Sequence, residues 1–228
     1  GYNHLGLGKA ELKMYYSTQK KLLIVGGADF SADLFKEVYD NETPIIAADG
    51  GVNFLSEQNI SPELVMGDLD SASEQKIQNI EPEKIIRIPD QDSTDLEKVL
   101  FNTQSPLTIG IGFLGSQIDH ELAALTALVK FSHKKIIFIG EHDIVFLVPP
   151  SFSLRSFDGM RVSLYPLDKV KVHSDGLQWA TDGLTMTPTG QIGTSNKAIG
   201  KIIHLAPDKP KLLLILPKTL LNEAILQL

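Results

Sequence analysis

Five hydrophobic runs in the first half of the chain each end in, or just before, an aspartate. Leu22-Leu23-Ile24-Val25 gives way to Gly26-Gly27-Ala28-Asp29, and Ile45-Ile46-Ala47-Ala48 to Asp49-Gly50-Gly51. Leu64-Val65-Met66 meets Gly67-Asp68-Leu69-Asp70-Ser71, and Ile85-Ile86-Arg87-Ile88 leads to Asp90-Gln91-Asp92-Ser93-Thr94-Asp95. Leu107-Thr108-Ile109 leads to a glycine-rich turn and then Asp119-His120. Carboxylates about 4 Å apart repel by roughly 4 kcal/mol at an effective dielectric near 20. A fold that gathers several of them needs a cation, and an all-oxygen donor set suits Mg²⁺. Asp68 and Asp70 flank Leu69, so at an extended strand end both would point the same way, toward one cation. Asp95 and Lys98, three residues apart at a helix start, would face the same crevice. Each unit also has a plainer reading: Ser71 capping a helix over Ala72–Ile80, and Ser93 or Thr94 with Glu97 as a capping box. Their coincidence in one half of the chain favours a magnesium-dependent enzyme acting on a phosphate-bearing substrate.

Short β-branched runs bounded by Gly, Pro and Asp predict buried strands. Between them the spacing predicts helices over Ser31–Tyr39, with Leu34, Phe35 and Val38 on one face, and over Ala72–Ile80, Leu96–Phe101 and Asp119–Phe131. Strand–helix alternation of this kind predicts a parallel sheet with helices on its faces. In such a sheet the ligand crevice lies outside the carboxyl ends of the strands, where the aspartates fall. After Pro149-Pro150 helical periodicity disappears. Arg161–Tyr165, Lys169–His173, Leu184–Thr187, Lys201–Leu205 and Lys211–Leu216 read as short strands separated by turn signals. The expected architecture is an N-terminal open, mostly parallel α/β domain over 14–150, followed by a C-terminal antiparallel β-sandwich over 151–228.

A formal net charge of −7 without any block of Lys and Arg argues against nucleic acid as the main partner. Zero cysteines exclude disulfides, thiolate catalysis and cysteine-held metals, and are compatible with a reducing, cytoplasmic setting. No apolar run approaches the roughly 20 residues of a membrane span. Gly1–Ala10 lacks the charged start and apolar stretch of a signal peptide. Gly1–Lys13 is expected to be a poorly ordered or added extension.

Gly110-Ile111-Gly112-Phe113-Leu114-Gly115 fits G-x-G-x-x-G, with Glu141 after the next run mimicking a ribose-binding acid, so a dinucleotide-binding dehydrogenase is a rival reading. That fingerprint normally opens the first βαβ unit, whereas here four strands precede it and the upstream aspartates are left without a role. Neither a P-loop nor a G-x-S-x-G nucleophile motif occurs. Trp179, the only tryptophan, is either a packing residue or a stacking platform for a flat cationic ring.

In order, Ala48-Asp49-Gly50-Gly51, Gly67-Asp68-Leu69-Asp70-Ser71, Asp90-Gln91-Asp92-Ser93-Thr94-Asp95 and Gly115-Ser116-Gln117-Ile118-Asp119-His120 resemble the thiamin pyrophosphokinase family. Gly176-Leu177-Gln178-Trp179 and Thr194-Ser195-Asn196 extend the resemblance through the second half. The resemblance implies Mg²⁺-dependent transfer of pyrophosphate from ATP to the hydroxyethyl group of thiamin, releasing AMP, by a homodimer with active sites at the subunit interface. It implies Asp68, Asp70, Asp92 and Asp95 as catalytic residues, with Asp68, Asp70 and Asp95 on the metal and Asp92 or Asp95 positioning the hydroxyl. It places ATP against Gly27, Asp49, Gly50, Lys98, Gln117, Asp119 and His120, and thiamin against Asp95, Trp179, Ser195 and Asn196. Where the family often has Gly-Gly-Arg-x-Asp-His, this chain has Gln117 in place of the arginine and lacks that fixed positive charge. A pyrophosphokinase acting on a hydroxymethyl-pterin and a non-catalytic nucleotide- or thiamin-binding protein remain as alternatives.

Overall fold

The structure, a computed structural model, describes residues 14–228; the expected extension Gly1–Lys13 lies outside the described residues. The first half runs β1 (Tyr16–Ser17), β2 (Leu22–Val25), α1 (Ala32–Val38), β3 (Ile45–Ala48), α2 (Gly51–Glu57) and β4 (Leu64–Gly67). It continues with α3 (Glu74–Ile77), β5 (Ile85–Arg87), α4 (Asp95–Phe101), β6 (Thr103–Gln104), β7 (Thr108–Ile111), α5 (Ile118–Lys130) and β8 (Ile136–Ile139). The second half adds β9 (Asp143–Leu147), β10 (Phe152–Arg155), β11 (Arg161–Pro166), β12 (Val170–Asp175) and β13 (Thr185–Met186). After these come β14 (Gly193–Lys197), β15 (Ile202–Pro207), β16 (Leu212–Pro217) and α6 (Leu221–Gln227).

Strands β8-β7-β2-β3-β4-β5 pair in parallel, as the alternation of strands and helices predicts. Alternate residues of β2 serve opposite faces: Leu23 and Val25 join one core with α1 and α2, while Leu22 and Ile24 join another with α4 and α5. From β2 the chain winds one way, to β3, β4 and β5; from β7, on the other side of β2, it winds the opposite way, to β8. This reversal makes a switch point between the ends of β2 and β7, where a crevice must open.

The second half departs from a self-contained sandwich. Strand β9 folds back antiparallel on β8, and β16, β11 and β14 continue outward, so one ten-stranded sheet crosses the expected boundary at residue 150. Only β10-β15-β12-β13 form a separate antiparallel sheet. Phe152, Leu154, Val172 and Leu205 of that sheet share one core with Phe146, Val162 and Leu214 of the large one. Helical structure also returns after Pro150: α6 buries Leu221 and Ala224 in this core. No helix among the described residues is long and apolar enough to cross a membrane.

Candidate active site

Three strand exits build the acidic centre. At the end of β3, Asp49 takes φ +41°, a region that Asp and Asn tolerate better than most residues. The chain then turns straight into α2, whose first residue, Gly51, lies against the Val25 carbonyl of β2. Both Asp49 carboxylate oxygens accept the Ser71 N–H at 3.2 Å. At the end of β4, Gly67 has φ +147°, and a Cβ there would fall 2.6 Å from Asp95 Oδ1. Glycine at this position is what lets the third carboxylate approach. Asp95 opens α4 behind the Thr94 cap, whose hydroxyl accepts the Glu97 N–H at 3.2 Å. Its Oδ1 accepts the Asp68 N–H at 3.1 Å and lies 3.7 Å from Lys98 Nζ.

Carboxylate oxygens of Asp49, Asp68 and Asp95 lie within 4.8 Å of one another. Oxygens bound to one Mg²⁺ at roughly 2.0–2.1 Å stand about 3–4 Å apart, so a small contraction would close the set on such an ion. Their electrostatics call for a cation. Burial pushes the Asp49 carboxyl up to about 6, with the charges of Asp95 and Asp68 adding to the rise and the Ser71 amide opposing it. Asp68 is held below its ordinary value, chiefly by the Asp70 N–H it accepts. Below about pH 6, therefore, the more buried Asp49 is the carboxyl of the pair that takes up a proton first. The fully buried Lys98 supplies one fixed positive charge.

Asp70 is not part of this set. The alternation that would align it with Asp68 requires extended backbone, but Leu69 adopts φ +66° and Asp70 is left exposed. Asp49, expected to contact ATP, takes its place beside Asp68 and Asp95.

A cavity of about 660 Å³ opens above the carboxylates at the switch point. Gly27, Asp49, Gly50, Asp68, Asp95, Gln117, Asp119 and His120 line it, along with Asp29, Ser71 and Phe113, which the sequence motifs contain without a ligand-binding role, and Asn53, which no motif marks. Asn53 ties α2 to the loop after β4: it donates to the Ser71 carbonyl at 3.1 Å and accepts the Ser73 N–H at 3.0 Å. Asp92 is exposed outside the cavity and donates its N–H to Asp90 at 3.0 Å. Lys98 is buried beneath the carboxylates instead of facing the cavity. The glycine fingerprint serves packing: Gly112 lies so close to the Gly26 carbonyl that a side chain would overlap it.

Trp179, Ser195 and Asn196 are not among the residues lining this cavity. Trp179 is 55% exposed. Asn196 is buried, accepting the Trp179 N–H at 3.2 Å and donating to the Trp179 carbonyl at 2.8 Å. Its side chain fixes the backbone that presents the indole. Ser195 sits beside it with φ +55°.

The raised pKa of Asp49 gives a measurable signature. Asp49 holds its proton more tightly folded than unfolded, so its contribution favours folding at low pH and is lost as pH rises toward and through 6. Asp49→Asn, compared with wild type in the absence of metal, should gain relative stability between pH 4 and 7 by up to about 3 kcal/mol. Paired thermal melts across that range test this; a difference that does not change with pH would refute the raised pKa of Asp49.

Residues 35–139 match the family model described as thiamin pyrophosphokinase, catalytic domain. Thiamine pyrophosphokinase 3 of Oryza sativa subsp. japonica is 28% identical over 203 residues, covering 81% of this chain and 73% of its own. Thiamine pyrophosphokinase 1 of the same species is 26% identical over 205 residues, covering 75% and 78%. Among solved structures, thiamin pyrophosphokinase from Candida albicans superposes with a TM-score of 0.72 at 18% identity, over 86% of this chain and 88% of that one. Thiamine pyrophosphokinase from Bacillus subtilis gives 0.71 at 24% identity, over 87% and 99%. At such identities the solved structures speak to the fold.

Proposed function

We propose that this chain, which belongs to the thiamin pyrophosphokinase family, transfers pyrophosphate from ATP to thiamin, giving thiamin diphosphate and AMP. The observation that supports this most is the trio Asp49, Asp68 and Asp95, all inside the matched region and all opening on one cavity at the switch point. Asp49, Asp68 and Asp95 would hold Mg²⁺, which when bound would neutralise the phosphates of ATP. The residues of the chain then act mostly by positioning. Gly27, Gly50 and Gln117 along the cavity wall would face the nucleotide, with Asp119 and His120 at the start of α5. Asp95 Oδ1 is engaged by the Asp68 amide and Lys98, while Oδ2 takes no hydrogen bond from a described residue. Oδ2 would orient the thiamin hydroxyl and accept its proton as oxygen attacks the β-phosphorus, and the breaking P–O bond leaves its electron pair on AMP. AMP release assayed with thiamin, with a hydroxymethyl-pterin and with neither tests the assignment. AMP formed only with thiamin is expected, and turnover with the pterin alone would overturn it.

Trp179 would hold the other substrate. Thiamin combines a cationic thiazolium with a flat aminopyrimidine, and an exposed indole offers stacking and cation–π contact worth about 1–2 kcal/mol. Trp179→Ala should raise the thiamin KM by roughly five- to thirty-fold and leave that for ATP nearly unchanged. An unaltered thiamin KM would make Trp179 a packing residue. Because the indole does not line the carboxylate cavity of its own chain, we propose a homodimer in which each subunit completes the other's site. An active species that sediments as a monomer would exclude this.

A further inference from the structure

At the opposite end of the parallel strands from the aspartates lies a second cavity, of about 440 Å³. It opens between the last turn of α5, the start of β8, the exit of β9 and the β15–β16 turn. Its wall is apolar, built from Leu128, Ile136 and Val148 and from the prolines that follow β9 and bracket the turn. Around this wall stand His133, Lys134, Lys135 and Lys209, against a single acidic side chain, Asp208. One oxygen of that carboxylate accepts the Lys171 N–H at 2.9 Å. Lys134 is tethered to the Thr103 carbonyl at 2.6 Å, and burial lowers its pKa. Lys135 and Lys209 are exposed, and no ion pair among the described residues involves either of them or Lys134. Three lysines without acidic partners around one apolar concavity stand out on a chain whose net charge is −7. Pockets of this size, with a few convergent polar groups on apolar walls, suit a small ligand.

We propose that this cavity binds a small organic phosphate with a flat apolar body. The phosphate would be taken by Lys135 and Lys209, and the body would lie against the prolines and Val148. Lysines serve phosphates as mobile point charges, and neither head is held by a side-chain hydrogen bond or ion pair among the described residues. The site is independent of the proposed transferase activity, since it shares no lining residue with the carboxylate cavity.

Titration calorimetry of the whole protein with 1-naphthyl phosphate tests this. A Kd of about 10–100 μM is expected, with at least about tenfold weakening in Lys135→Glu/Lys209→Glu and for the uncharged probe 1-naphthol. Should the double reversal perturb the fold, the neutral pair Lys135→Gln/Lys209→Gln provides the same comparison. Asp68→Asn should bind the probe as the wild type does, which separates this cavity from the other. No binding up to about 1 mM, undiminished binding by a folded double variant, equal affinity for 1-naphthol, or loss of binding in Asp68→Asn would each overturn the proposal.

Discussion

Asp68→Asn lowers turnover by about 10²–10³-fold or more, while Asp70→Asn leaves it close to wild type. Asp68 belongs to the gathered carboxylates, whereas Asp70 offers this centre only its backbone N–H, which the substitution preserves. Asparagine keeps the size of the side chain and its acceptor oxygen but removes the charge that a cation needs. It also relieves repulsion from Asp49 and Asp95, so the metal-free melting temperature should stay near that of wild type. AMP release measured over a range of Mg²⁺ concentrations, beside thermal melts of the same samples, checks both halves. Equal losses in the two variants would show that Asp70 is as much a part of the centre as Asp68.

Gly51→Ala abolishes folding or lowers stability by about 3 kcal/mol or more, a large share of the 5–15 kcal/mol typical of a domain. A Cβ there would overlap the Val25 carbonyl oxygen and fall 2.6 Å from its carbon and 3.2 Å from the Gly26 nitrogen. All three are backbone atoms at the exit of β2, which is paired on both sides, so no side chain can rotate away. Gly115→Ala is the control: it has φ +84° but nothing within 4 Å of its Cβ, and it should cost only about 1 kcal/mol. Urea midpoints for the pair decide the matter; Gly51→Ala unfolding no more readily than Gly115→Ala would refute the steric argument.

The parallel strands were legible because β-branched runs buried on both faces leave a continuous apolar signature, as in Leu22–Val25 and Ile136–Ile139. So was the gathering of acids at one edge, which follows from strand polarity alone. What the sequence did not show was direction of turning. Alternation assumes extended backbone, and the positive φ of Leu69 and Asp49 reassigned which carboxylates meet. Helix α2 was hidden because Gly50-Gly51 looks like a turn, when the glycine is there for close approach to β2. Strand β14 is polar and mostly exposed, so its run Gly193–Lys197 carries no apolar alternation to find. Helix α6 spans only two turns at the edge of the core, too short for a periodic pattern.

The pairing of β9 with β16 governs the order in which the chain can become a protein. During synthesis β9 emerges with one edge satisfied by β8 and the other bare, and its partner is made only after all four strands of the separate sheet. Until β16 arrives, that bare edge is a template for another chain, the situation from which domain swapping and edge-to-edge aggregation arise. A ribosome-bound fragment ending near Pro150 would hold every carboxylate of the acidic centre yet still lack the strand that covers the bare edge of β9.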